Sequence, residues 1–283
     1  MTDRIAERIR SFAPNPTRAE RALAAWLLSN LRSVPYETGA TIAAKVGVSR
    51  MTVSRVIRAM GFEGLAGLKA ELSRHMEPSW LVGDRYARFA ADPAAGEFAA
   101  RALQFEIRAM VTAYEQTSRP DWTDAVRLLT GADRVFVAGF QTVRGVAMDF
   151  AARLEYLRDG VRFLDGANGT YAEAFATRAE RPCLLIADMR RYSRQPRLLA
   201  RRARESGVPV ILVVDAACHW AAELGDIVFH LQADVDLFWD SNAPMTALLN
   251  LMLQEVVRAS DVAVGERIAQ LQSLQEAFEV FDD

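Results

Sequence analysis

Apolar residues recur at helical spacing through the first quarter of the chain. Through the rest they come as short unbroken runs that alternate with helical stretches. Ile5, Ile9 and Phe12 share one helical face, and so do Leu23, Trp26, Leu27 and Leu31. "APNP" at 13–16 separates these two helices, with Thr17 placed to cap the second. "TIAAKVGVSRMTVSRVIRAMGF" and the amphipathic "EGLAGLKAELSRHM" follow. Residues 78–96 hold two prolines and no sustained period, which predicts a linker.

From about residue 97 the pattern changes. A helix-like stretch (97–117) precedes the first β run, 134–138. "VRFLD" (161–165), "CLLIA" (183–187), "VPVILVVD" (208–215) and "DIVFHL" (226–231) are further β runs, separated by helical candidates at 142–158, 170–179, 194–206 and 217–224. Two more helices, about 241–260 and 264–280, close the chain. Alternation of this kind predicts a parallel sheet with helices on both faces. The expected domains are therefore a helical one at 1–77, a linker at 78–96 and an α/β domain at 97–283.

Within the helical domain, Ile42, Ala43 and Val46 form the inner face of a short helix, and Gly47 permits the left-handed backbone that ends it. Val48 fills the corner and Ser49 is placed as N-cap of the next helix. There Val53, Val56, Ile57 and Met60 make one buried stripe, leaving Arg50, Thr52, Ser54, Arg55 and Arg58 outside. A helix with a buried back and an Arg/Ser/Thr front, set by a tight turn against a short helix, suits major-groove reading. The plainer reading is a helical hairpin with a solvated basic face.

Charge distribution favours the first reading. The chain as a whole carries −2, but residues 1–77 have 12 Lys and Arg against 7 Asp and Glu, a net of +5, and the remainder is −7. A small basic part joined to a larger acidic one is the asymmetry of a nucleic-acid-binding module on another domain.

No apolar run approaches the roughly 18 residues of a membrane span. The N-terminus mixes charges with apolar residues, unlike a signal peptide. Cys183 and Cys218 make no disulfide framework. A cytoplasmic protein is expected, with no membrane partner. No metal-ligand spacing, P-loop or GxGxxG motif occurs, so neither metal nor cofactor is expected.

The order of parts resembles the RpiR/MurR family of bacterial transcription regulators, an N-terminal helix-turn-helix domain followed by a SIS-type parallel-sheet α/β sandwich domain. The residues that carry the resemblance are "TIAAKVGVSRMTVSRVIRAMGFEGLAGLKAEL" (41–72) and, more loosely, "DRVFVAG", "GVPVILVVDAACHWAAELGDIVFHL" and "DSNAPMTALLNLML". It implies that Ser49, Arg50, Thr52, Ser54 and Arg55 face double-stranded operator DNA. It also implies a homodimer or homotetramer and a sugar-phosphate effector in the second domain.

The pattern departs from that family where phosphate is usually held. In "GFQTVRG" Gly139 is kept, but Gln141 stands where a second glycine is expected and Val143 where a serine is, with Thr142 the nearby hydroxyl. After the strand at 183–187, Asp188-Met189-Arg190-Arg191-Tyr192-Ser193 replaces a Ser/Thr-rich loop. Three readings follow: the arginines grip a small anion, Asp188 pairs with one of them and closes the pocket, or Arg190 and Arg191 join a solvated helix face. The run 194–204 reads as a solvated face. The candidate effector site comprises Gln141, Thr142, Asp188, Arg190, Arg191, Ser193 and, at the head of a closing helix, Ser241.

The expected function is a transcription regulator that senses a small anionic sugar-phosphate-like or sugar-acid metabolite, and not an enzyme. The alternatives are a sugar-phosphate isomerase with a DNA-binding appendage and a regulator whose second domain binds nothing. Of the histidines, His75 and His230 read as structural, and His219 lies in a loop that can reach a pocket.

Overall fold

In the computed structural model, residues 2–31, 34, 37–75, 86, 89–90, 98–167, 169–176, 179–235 and 237–279 are described. They fall into two units, Met1–Asp92 and Pro93–Asp283. Apart from 86, 89 and 90, the expected linker at 78–96 lies outside the described residues.

Capping chemistry sets the helices of the first unit: α1 (Thr2–Ser11), α2 (Arg18–Ser29), α3 (Gly39–Val46), α4 (Arg50–Ala59) and α5 (Gly64–His75). Thr17 and Glu20 form a capping box at α2, and Thr38 and Thr41 form one at α3, each satisfying two amides the helix itself cannot. The apolar stripes then converge. Ile5, Ile9, Leu23, Leu27, Ile42, Val53, Val56, Ile57, Leu68 and Leu72 make one core. Each such burial is worth about 1.5–3 kcal/mol against exposure. Arg8 ties α1 to α5, donating to both oxygens of Glu71 at 2.8 and 3.0 Å with its guanidinium 3.9 Å above the Phe62 ring.

The second unit holds five parallel strands: β1 (Arg134–Gly139), β2 (Val161–Leu164), β3 (Pro182–Asp188), β4 (Val210–Asp215) and β5 (Ile227–Leu231), in the order β2-β1-β3-β4-β5. One row across the sheet runs Phe163, Val137, Leu185, Ile211, Ile227. Helices α6 (Phe98–Glu115), α7 (Pro120–Gly131), α8 (Arg144–Leu157), α9 (Arg194–Glu205), α10 (Ala221–Leu224), α11 (Ala243–Ala259) and α12 (Asp261–Ala277) complete it.

Strand side chains alternate between two cores. Val135, Val137, Leu185 and Val213 pack with Trp122 of α7, Phe150 of α8 and Met252 of α11. Phe136, Ile186, Leu212 and Val214 pack with Leu199 of α9 and Leu224 of α10. Because both faces are covered, β3 and β4 are apolar almost throughout, as central parallel strands must be.

Two helical expectations need correction, and one helix went unforeseen. Between 170 and 179 the described residues give one 3₁₀ turn, Ala172–Ala174. The pair Tyr171 and Phe175 mimics a helical face, but Tyr171 packs against Phe140, 5.5 Å between ring centroids, so tertiary contact holds that spacing. At 217–224 only Ala221–Leu224 is helical. α7 begins on Pro120 at its first turn and buries Trp122, Ala125, Val126 and Leu129.

Candidate functional site

In the first unit, Gly47 ends α3 in the left-handed region (φ 74°), and its N–H donates to Ala43 O at 2.9 Å. The Val48 N–H uses the same carbonyl at 3.0 Å, and the Ser49 hydroxyl accepts from the Thr52 N–H at 3.0 Å to start α4. The turn therefore fixes which face of α4 is buried. Val53, Val56 and Ile57 point inward. Ser49, Arg50, Arg55 and Arg58 are exposed, and Thr52 and Ser54 are half-buried.

Arg50 opens α4 with no acidic residue in the first turn. A cation there opposes the helix dipole at a cost of about 0.3–1 kcal/mol, so stability alone would not select it. Arg55 lies 3.4 Å from Glu20, whose carboxyl is held below its ordinary range by hydrogen bonds from Thr17. Met51 was missed by sequence reasoning and is 81% exposed beside Arg50. An apolar residue off the buried stripe, between Arg50 and Thr52, was its signal.

In the second unit, β1 connects outward to β2 on one side while β3 begins the other half of the sheet. The crevice beyond the carboxyl ends of β1 and β3 is thus a topological switch point, where open α/β sheets hold ligands. Six of the seven candidate effector residues meet there. Gly139 lets α8 press against β1: a Cβ on it would lie 2.4 Å from Ala147 Cβ and 3.0 Å from Arg144 Cα. Gln141 takes a positive φ of 49° and donates from Nε2 to the Arg191 carbonyl, tying the β1 loop to the β3 loop. Thr142, Arg191 and Ser193 are exposed, as are Arg144 and Arg194. Neither α8 nor α9 has a side-chain capping bond; at α8 a preceding 3₁₀ turn, Gln141–Val143, takes up the Val143 and Arg144 N–H groups on the Phe140 and Gln141 carbonyls, which leaves the start of α9 as the uncapped one.

Arg190 does not pair with Asp188. Its guanidinium donates to both oxygens of Asp240 at 2.9 and 3.0 Å and lies 3.1 Å from Asp234. The Arg190 and Asp240 side chains are only 7% and 8% exposed. The Arg190 N–H also donates to Asp215 Oδ2 at 2.7 Å. Asn242 donates to the Thr142 carbonyl at 3.4 Å, so the segment before α11 is tied to both other loops. Ser241, the seventh candidate, stands on that segment, its hydroxyl accepting from the Ala243 N–H at 3.2 Å and its N–H donating to Ala233 O at 2.8 Å.

Beneath the crevice lie two buried acids at the ends of neighbouring strands. Asp188 is fully buried, with one oxygen accepting from the Met189 N–H at 3.0 Å and the other without a hydrogen-bond partner among the described residues. Burial first, and the nearby Asp215 second, push its pKa up to about 8. Burial also lifts Asp215, but Tyr192 OH (2.6 Å), Arg190 N–H and Ala217 N–H all donate to it and favour its ionised form. With three donors on Asp215 and one on Asp188, the proton of the pair resides on Asp188. Asp215, Tyr192, Asp234, Asp240 and Asn242 escaped sequence reasoning. Asp215 alone had a plain signal, ending an apolar run as Asp188 does.

Among the described residues no group of His, Cys, Asp and Glu can hold a metal ion, and no helix is long and apolar enough to cross a membrane.

Comparison with known proteins matches the model of the helix-turn-helix domain, rpiR family, to residues 3–79 and the SIS domain model to residues 128–254. The bifunctional protein glk of Burkholderia orbicola (strain AU 1054) is 26% identical over 218 residues, covering 75% of this chain and 33% of that protein. Its counterpart in Paraburkholderia xenovorans (strain LB400) is 27% identical over the same shares. The chain thus spans about a third of the length of these curated relatives.

Among solved structures, the Vibrio vulnificus NanR protein complexed with ManNAc-6P has a TM-score of 0.53 at 14% identity, over 99% of this chain and 100% of that one. The sugar isomerase domain of the RpiR transcription factor from Sphaerobacter thermophilus has a TM-score of 0.56 at 20% identity, over 62% of this chain and 99% of that one. At such identities the likeness is one of fold.

Proposed function

We propose, from the match of residues 3–79 to the helix-turn-helix domain of the rpiR family and of residues 128–254 to the SIS domain, that this chain is an rpiR-family, cytoplasmic DNA-binding transcription regulator gated by a small anionic sugar derivative. Residues 1–77 form the DNA-reading domain, 78–96 the linker and 97–283 the effector-binding, self-associating domain. Ser49, Arg50, Thr52, Ser54 and Arg55 face the operator. Arg50 and Arg55 are suited to guanine edges or phosphates, and Met51 to a thymine methyl.

The observation that carries the effector half is the rim of the switch-point crevice. Exposed Gln141, Thr142, Arg191 and Ser193 stand there beside the start of α9, which lacks a side-chain cap. Helix-start amides, hydroxyls and an exposed guanidinium are together the donors that a phosphate or carboxylate takes. Asp188, Arg190 and Ser241 support that rim from below and beside it. The NanR relative was solved with ManNAc-6P, which fits the same ligand class.

We read the chain as a non-enzyme. Isomerisation requires an acid or base at the sugar, and the carboxyl whose pKa favours that work, Asp188, is fully buried.

Fluorescence anisotropy on labelled DNA from upstream of the gene, at fixed salt, tests both halves with a panel of sugar phosphates and sugar acids. Tight specific binding that one compound shifts is expected. Specific binding that none shifts would overturn the sensing half, and absence of specific binding the regulatory one.

A further inference from the structure

Arg55 differs from the other arginines of α4 in what holds it. Its Nη2 lies 3.4 Å from Oε1 of Glu20, which stands in the first turn of α2. The other oxygen of that carboxyl accepts from the Thr17 N–H at 2.9 Å, and the Thr17 hydroxyl accepts in return from the Glu20 N–H at 3.3 Å. The Thr17 bonds hold the carboxyl below its usual range, so Glu20 is ionised and already fixed where Arg55 meets it. Its side chain is 16% exposed, against 68% for Arg55. Among the described residues, Arg50 and Arg58 form no such ion pair.

We propose that Glu20 is a positioning residue: it holds Arg55 for a guanine edge in the major groove and keeps it off the phosphates. The proposal rests on the reading of α4 as the DNA-reading helix and assigns one base contact within it.

Two observations select a base over a phosphate. The first is charge. Arg55 and Glu20 together are formally neutral, so the pair displaces no counterion from DNA where a lone arginine would. A phosphate approaching Arg55 also meets a carboxylate, whereas O6 and N7 of guanine are neutral acceptors. Contact through Nη2 leaves the donors on Nε and Nη1 for such a base edge.

The second is the neighbour. Met51 precedes Arg55 by one helical turn on the same face and is 81% exposed. A thioether offers a phosphate nothing, so this face is turned to the floor of the groove and not to the backbone. A pair as exposed as Arg55 and Glu20 adds little to stability. Its effect is to order a side chain of many rotamers before DNA arrives, so that binding escapes that cost.

The test uses the full chain and two labelled duplexes, one selected by the protein from a random-sequence pool and a scrambled one of the same length. Fluorescence anisotropy is followed across a salt series. Arg55→Lys keeps the charge and loses the fork. It is expected to bind the selected duplex roughly tenfold or more weakly, to lose discrimination at one G·C pair, and to bind the scrambled duplex as wild type does. Glu20→Gln keeps an oxygen for the Thr17 N–H, so its melting should match wild type. It is expected to lose roughly three- to tenfold on the selected duplex. On the scrambled duplex it should bind more tightly, with log affinity falling more steeply against log salt by up to about 0.9, because Arg55 is released to a phosphate.

A Glu20→Gln protein that binds both duplexes as wild type does, or weakens on both alike, overturns the positioning role. An Arg55→Lys protein that keeps discrimination at every base pair overturns the base contact. A pool from which the wild type selects nothing overturns the reading of α4 itself, and the proposal with it.

Discussion

Arg190→Met is the substitution from which the most can be learned. It removes a guanidinium that makes a two-pronged contact to Asp240, with both side chains more than nine-tenths buried, and that also faces Asp234. Taking away one member of a buried ion pair leaves an uncompensated charge, which costs about 3–5 kcal/mol. A unit of this size loses about 0.4 kcal/mol per degree near its midpoint, so the melting temperature should fall by roughly 8–12 °C.

The reverse change, Asp240→Asn, is expected to cost less, about 1.5–3 kcal/mol. Arg190 then keeps Asp234, 3.1 Å away and 41% exposed. Combining Arg190→Met with Asp240→Leu removes both buried charges and should recover much of the loss, since a buried pair is worth little more than an apolar replacement of similar volume. Scanning calorimetry of wild type, Arg190→Met, Asp240→Leu and the double variant forms a double-mutant cycle. An Arg190→Met protein that melts within a degree of wild type would refute the burial of the pair, and strictly additive losses would refute the coupling.

Asp188 binds a proton in the fold that the unfolded chain releases near pH 4, so its contribution makes stability fall between about pH 4 and 8 and level off above. Asp188→Asn should flatten that part of a urea-denaturation series, and an unchanged slope would assign the proton elsewhere. Gly139→Ala forces a methyl group to 2.4 Å from Ala147 Cβ and should cost about 1–3 kcal/mol by thermal melting. Gly47→Ala places a side chain at φ 74° and should cost about 1–2 kcal/mol, read in the melting of the first unit. Arg50→Ala should leave folding intact and weaken DNA binding, lowering the slope of log affinity against log salt by about one if its contact is a phosphate.

Much of the architecture was legible because it rests on local rules. The caps at Thr17 and Ser49, the Gly47 turn and the buried stripe of α4 each depend on residues within a few positions of one another. The β runs were equally plain, since strands buried on both faces carry unbroken apolar sequence. α7 went unread although Trp122, Ala125, Val126 and Leu129 repeat at helical spacing, because Pro120 at its start looks like a break. The candidate effector site was legible only as a place. That Arg190 belongs to Asp240, fifty residues later, is a long-range fact with no periodic trace. The proton on Asp188 depends likewise on Asp215 and on burial that no single segment reports.

The ties above the switch point have a further property. Gln141 reaches the carbonyl of Arg191, Arg190 reaches Asp240, and Asn242 returns to the carbonyl of Thr142. Residues one or two positions apart carry consecutive links, so the contacts close into a ring and do not trail off as a chain. In a ring every loop has two anchors, and releasing one leaves the other two loops still joined. The amides of 140–143, 189–193 and 237–242 are therefore one cooperative opening unit. They should exchange hydrogen for deuterium with a single free energy, and a ligand that grips any one of the three should slow all of them together.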